Sequence, residues 1–168
     1  NDLIETLMRY DPDVSAAVSA YLTLSNTEMR YVARTPEGDI DADAIEKISL
    51  LMNRIAYPVD YSTGFTPARS VKIRNEAFRY MILKRGAVSA ELILDEQFGV
   101  MDVRLIDSIT LEWYEKKNGF LTPRQKLGSD DIDLNIPTFF HAKHRQDPST
   151  PHSKSMFVSV INTVYARA

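Results

Sequence analysis

The stretch KRGAVSAELILDEQFGVMDVRLIDSITLEWYEKKNG, Lys84 to Gly119, decides how the chain is read. Gly86 sits where a helix ends in a left-handed glycine cap. Ala87 to Asp95 then reads as a strand, with Val88, Ala90, Leu92 and Leu94 on one face. Its other face carries Ser89, Glu91 and Ile93, which predicts a half-buried strand. Gln97-Phe98-Gly99 is the turn and Val100 to Ile106 the partner strand. Ser108 to Lys116 is a further strand, holding the single Trp, Trp113. Asn118-Gly119 predicts a two-residue hairpin turn with both residues at positive φ. Phe120 to Leu127 returns from it, and Pro123 predicts an edge position, since proline cannot donate to a ladder.

Working outward, the N-terminal side is helical. Leu3, Ile4, Leu7 and Met8 have helical spacing, with Asp2 as a candidate cap. Asp11-Pro12 opens a second helix over Pro12 to Leu22, with Asp as the cap and Pro at the first helical position. Its predicted buried face is Val14, Ala17, Val18 and Tyr21. Met29 to Thr35 alternates like a strand, broken by Pro36 to Asp39. Asp41 or Asp43 opens a helix striped by Ile45, Ile48, Leu51, Met52 and Ile55, and Pro58 ends it. After a loop over 59–66, Pro67 starts the helix that Gly86 closes. There Val71, Phe78, Met81 and Ile82 form the apolar side, and Lys72, Glu76, Arg79 and Lys84 are expected in water. On the C-terminal side, Gly128 to Asn135 reads as a polar loop and Thr138 to Lys143 as a strand. Arg145 to Ser155 reads as a loop and Phe157 to Ala168 as a helix.

The chain has 168 residues, 44% of them hydrophobic and 26% charged, ordinary values for a folded domain. Its net charge is −3, from 20 basic and 23 acidic residues, which argues against a dedicated nucleic-acid binder. Cysteine is absent, so disulfides, thiolate metal sites and cysteine nucleophiles are excluded. No apolar run approaches the ~20 residues of a transmembrane helix, and the N-terminus lacks a signal-peptide pattern. The start at Asn1 and the apolar-rich end, Met156 to Ala168, both read as cuts, so the chain is expected to be a fragment of a longer protein.

Reactive constellations are few. His141 and His144, with His152 and Asp147 nearby, could hold a metal on a helix, but three-residue spacing on a strand separates the rings. Ser149, His152 and Asp147 lack the strand–elbow–helix context of a nucleophile. Asp130, Asp131 and Asp133 lack the glycine and distal glutamate of a calcium loop. No phosphate-binding glycine motif occurs. Lys84-Arg85, Lys116-Lys117, Arg124 with Lys126, and Lys143 with Arg145 lie near Trp113, Tyr114 and Phe120, as in single-strand binders. Interleaved Glu112 and Glu115 favour a salt-laced solvent face instead. The expected catalytic, cofactor and metal sites are therefore none, and no DNA-contacting residue is assigned.

Three segments together resemble the N-terminal part of tailed-bacteriophage portal proteins. Asp11-Pro12-Asp13-Val14, followed by Ala16 and Ala17, looks like the family's helical opening. LKRGAVSAELIL looks like its entry into the wing sheet, with Gly86 and Glu91 in place. FFHAKHRQDPSTPHSKSMF is similar to the passage from the last wing strand into a helix, carried by His141, Pro151, Ser153 and Ser155. His152 departs from the family pattern there. The resemblance implies an α+β wing-type domain over residues 1–152, with helices on a small antiparallel or mixed sheet and a protruding β-hairpin. Residues 153–168 would begin a stem-type helix. It further implies a non-enzymatic subunit of a homo-oligomeric ring, commonly a dodecamer, at a capsid vertex of the virion. Double-stranded DNA would pass through it without sequence specificity. Its partners would be the terminase, the major capsid and scaffold proteins and a neck or tail adaptor, with assembly in the host cytoplasm and no membrane. The alternatives are another head–tail adaptor or tail structural protein, and a small metal-dependent hydrolase using His141 and His144.

Overall fold

The computed structural model describes residues 3–27, 30–56, 71–144, 149–159 and 161. Four helices come first: α1 (Leu3–Tyr10), α2 (Pro12–Ser25), α3 (Ala42–Ala56) and α4 (Val71–Arg85). Six strands follow: β1 (Ala87–Leu94), β2 (Val100–Ile106), β3 (Leu111–Glu115), β4 (Leu121–Leu127), β5 (Asp130–Asp133) and β6 (Phe139–Lys143). The class is α+β, as expected. The strands, however, form two three-stranded antiparallel sheets, ordered β2-β1-β6 and β3-β4-β5, with no parallel pair among them.

The helix starts follow the sequence. The Asp11 carboxylate accepts from the Val14 N–H at 2.9 Å, with Pro12 at the first helical position. Asp41, rather than Asp43, caps α3 through the Ala44 N–H, also at 2.9 Å. Along α2 the buried line is Val14 and Val18, joined by half-buried Leu22; Ala17 and Tyr21 face outward, against expectation. Met8, Val14, Val18 and Leu83 form one core, flanked by Tyr80 and Phe157.

Four further expectations are corrected. The strand expected up to Thr35 is reduced, over 30–35, to a single Arg34–Ile40 bridge around the Pro36–Gly38 turn, because no neighbouring strand among the described residues completes a ladder. Residues 130–133 are not loop but β5, an exposed edge strand whose Asp131 and Asp133 lie opposite Lys126 and Arg124. Opposite charges in register favour the pairing, and a charged edge discourages further strand addition. Pro123 is buried in the central strand β4, not at an edge. Its carbonyl accepts from Leu134, just past the end of β5, so its missing N–H faces a place where the ladder has already stopped. Finally, Lys84 is buried and Arg79 half-buried, where water was expected.

Residues 108–110 form a short 3-10 helix rather than the start of β3. A second one, Met156–Ser159, stands where a helix from Phe157 was expected. Apart from Ile161, the rest of that run lies outside the described residues, as do Asp2, Pro58, the 59–66 loop, Pro67 and Asp147.

The sheets meet through Ile106, Leu111, Leu134 and Phe139. At this end β1 is buried on both faces: Ala87, Val88, Ser89 and Ala90 are all inside. The Ser89 face turns toward the second sheet, which leaves Val88 and Ala90 for the helices packed on β1 and β2. Arg74 ties that helical layer together, donating to the carbonyls of Val103 and Ile55 and pairing with Asp102.

Candidate functional site

Segments far apart in the chain converge where α4 turns into β1. Gly86 has φ +74° and donates to the Ile82 carbonyl, the cap geometry expected. It has a second reason to be glycine. A Cβ there would lie 1.9 Å from the Lys154 carbonyl oxygen, so the 149–159 segment crosses directly over it.

That segment acts as a strap across the end of α4. The last carbonyls of a helix have no partner within it. Ser155 donates to the Leu83 carbonyl at 2.7 Å and Ser153 to the Arg85 carbonyl at 2.8 Å. The Ser155 oxygen also accepts from the Phe157 N–H at 3.1 Å, so one hydroxyl ends α4 and starts the next turn. His144 contributes its backbone N–H to the Gly86 carbonyl at 2.8 Å.

His141 holds the strap from the sheet side. Its Nε2 lies 3.2 Å from the Pro151 carbonyl and its Nδ1 2.8 Å from Ser89 Oγ, which is 2.9 Å from Ser108 Oγ. A carbonyl only accepts, so Nε2 carries the proton and Nδ1 accepts from Ser89. Ser89 in turn accepts from Ser108. Every proton in this chain is committed, and Ser89 has no exposed surface. Burial, chiefly, holds His141 below the ordinary histidine range, aided by Lys143 and His152 and opposed by the Pro151 carbonyl. The folded state thus favours the neutral ring. Trp113 packs edge-on against it, with centroids 5.3 Å apart. The arrangement locks β1, β6, the first 3-10 helix and the strap into one unit.

A charged cluster lies alongside. Arg85 donates twice to the Asp107 carboxylate, at 2.6 and 2.8 Å, and Lys84 Nζ lies 2.7 Å from Glu5 and 3.6 Å from Asp107. Burial works against the Lys84 ammonium, but its Glu5 hydrogen bond and Asp107 prevail and its pKa is raised. Burial likewise works against the Asp107 carboxylate, and Arg85 prevails to hold it low. Both cations also sit at the negative end of α4. Lys84 and Arg85 border an open cleft of about 290 Å³, with Trp113, His141, His152, Lys154 and Val158 on its walls.

The sequence candidates sort themselves accordingly. His141 and His152 border the same cleft, while His144 is exposed beyond β6 and contributes only backbone here. Both nitrogens of His141 are engaged. Asp130 points to the opposite face of β5 from Asp131 and Asp133, so the three carboxylates do not converge. Arg124 stacks 4.6 Å from the Tyr114 ring centre, Lys126 reaches Glu112 at 3.4 Å, and Tyr114 bonds to Glu112. That face is salt-laced, as expected. Sequence reasoning missed Ser89, Ser108, Asp107 and the role of Lys84. The visible signals were a lone small polar residue inside AVSAELIL, and Asp107-Ser108 directly after a strand.

No characterised family and no curated protein matches this sequence. Among solved structures, it is similar to a chain in a particle described as the neck of an empty GTA (gene transfer agent) particle computed with C6 symmetry. The TM-score is 0.64 at 15% identity, over 97% of this chain and 42% of that one. At such identity the likeness is one of fold. This chain spans less than half the length of its neighbour. Among the described residues, no helix is long and apolar enough to cross a membrane.

Proposed function

We propose that this protein is a structural, non-enzymatic subunit of a phage-type particle. Its place is the portal ring at the capsid vertex, through which DNA is packaged and ejected. The observation that carries the proposal is the fold likeness to a neck component over nearly the whole chain. The strap supports it. Gly86, His141, Pro151, Ser153 and Ser155, which carry the portal resemblance, meet at one junction. Such a junction fixes the direction in which the chain leaves the wing-type domain toward a stem. A near-neutral to acidic chain suits a channel wall, because a strongly basic lining would retard DNA through many phosphate contacts. Terminase, capsid and scaffold proteins, and a neck or tail adaptor would be the partners, and the virion the location.

A head–tail adaptor is the second reading, favoured because the structural neighbour belongs to a neck. Electron microscopy of the negatively stained intact protein separates the outcomes. Rings with a central channel wide enough for duplex DNA and a stem along the axis support the portal. Rings without a stem support the adaptor, and the absence of rings refutes both.

A further inference from the structure

Two hairpins of this fold end in tips of opposite charge. The β1–β2 tip carries exposed Glu96 beside Phe98, which is 83% exposed. The β3–β4 tip carries exposed Lys116 and Lys117, against one exposed carboxylate, Glu115, at the end of β3, beside Phe120, which is 69% exposed. Among the described residues, Glu96, Lys116 and Lys117 take part in no ion pair. Asp95 differs, because its carboxylate is held inside its own tip by Arg54 and by the N–H groups of Gln97 and Gly99. Phe98 has φ 62°, a left-handed conformation that a bulky side chain seldom adopts and glycine adopts freely. A braced turn thus presents an aromatic ring to solvent from an unfavourable backbone, and such outliers gather where a segment engages something else.

We infer that the two tips are the two halves of one contact between copies of this chain. The Lys116–Phe120 tip of one subunit docks beside Glu96 and Phe98 of the next. This rests on the ring reading above and supplies it with an interface. A ring contact is heterologous, one patch of each subunit meeting a different patch of its neighbour. The tips meet that requirement: they differ in sign, and each offers one exposed aromatic ring. Aromatic residues are enriched at such contacts, and rings pair favourably edge-on or offset. Charges around them set partner and register. Two lysine tips would repel each other, which disfavours contact of that tip with its own copy.

The test compares four variants of the intact protein by sedimentation. Lys116→Glu with Lys117→Glu should weaken association by roughly tenfold or more, as should Glu96→Lys alone. The triple variant, with the charges exchanged, should recover most of the loss, which also shows that the chain still folds. Phe98→Gly should raise the thermal midpoint of dilute, unassembled protein while weakening association, a pairing of effects that a purely structural role would not produce. Charge-reversed chains that assemble like the wild type overturn the tip contact and leave the ring reading intact. Unchanged assembly with loss of DNA retention assigns the lysine tip to nucleic acid and likewise overturns it. A wild-type chain that never forms rings overturns both.

Discussion

The β1–β2 and β3–β4 hairpins close with the same turn and use glycine for different reasons. In one, Phe98 N–H donates to Asp95 and Asp95 N–H to Gly99; in the other, Gly119 N–H donates to Lys116 and Lys116 N–H to Phe120. Each is a type I turn followed by one left-handed residue. That residue is Gly119 in one hairpin, φ +79°, and Phe98 in the other, φ 62°. Asn118 is not at positive φ, so the two-residue turn expected from Asn118-Gly119 is replaced by this longer one. Gly119 is glycine for its backbone, since a Cβ there would meet nothing within 4 Å. Gly99, one residue past the left-handed position, is glycine for space. A Cβ would lie 2.7 Å from an Arg54 nitrogen and 2.8 Å from the Asp95 carboxylate. Conformation and room are separate demands, and a glycine in a turn does not say which it answers.

Gly86 answers both, so its substitution sets the upper end of the scale. Gly86→Ala must move the Lys154 backbone and adopt a left-handed conformation, and should destabilise by roughly 3–5 kcal/mol, readable by chemical denaturation. A loss under about 1 kcal/mol would mean that the strap lifts away freely.

Within the hairpins, Gly99→Val should be the more destabilising change, because the new side chain displaces the Asp95 carboxylate from two N–H groups and from Arg54. Gly119→Val should cost less, about 1–2 kcal/mol, from backbone strain alone. Replacing Gly119 by Asn, which tolerates the left-handed region, should recover most of that. If Asn and Val proved equally harmful at Gly119, space and not conformation would be the constraint there.

Phe98→Gly should go the other way. Relief of about 1–2 kcal/mol of left-handed strain, less the roughly 0.5–1 kcal/mol entropic penalty of glycine, leaves a gain of up to about 1.5 kcal/mol. Thermal unfolding of the variant beside the wild type, both dilute enough to be monomeric, measures it, and a loss would show that the ring packs within its own subunit.

The smallest contrast is with acid. Hydrogen bonds from Arg54 first, then from the Gly99 and Gln97 N–H groups, hold Asp95 below the ordinary carboxylate range. A lowered folded pKa gives stability that is present above the ordinary value of 3.8 and lost as pH falls through the folded one. The other turn is closed by the neutral Asn118 side chain, which accepts from the Phe120 N–H at 3.3 Å. Acidification should therefore lower the protection of the Gly99 amide, its exchange rate relative to an unstructured amide at the same pH, before it lowers that of Phe120. An equal loss of protection at both tips would contradict the Asp95 brace.

The same contrast explains what could be read from sequence. Local signals held: Asp11-Pro12 and Asp41 capped their helices, the α3 stripe buried Ile55, and Gly86 ended α4. Each depends on residues within a turn or two of one another. Long-range consequences did not show. Lys84 looked like a solvent residue because Glu5 and Asp107, which receive it, lie on other elements. Pro123 looked like an edge because nothing local says where β5 stops. His141 stood out for its spacing to His144, yet its partners are Ser89 and Pro151. The division into two sheets follows from the β1–β6 pairing, across some fifty positions of chain, which no window of sequence displays. Of the junction, Ser153 and Ser155 were visible through family resemblance alone, since hydroxyls that cap a distant helix carry no local pattern.

The central proposal is that the intact protein assembles as a ring, and its mass in solution tests that proposal most directly. Sedimentation velocity should find one discrete closed oligomer of fixed mass rather than a spread of sizes. A monomer or dimer that persists at the highest attainable concentration would contradict it.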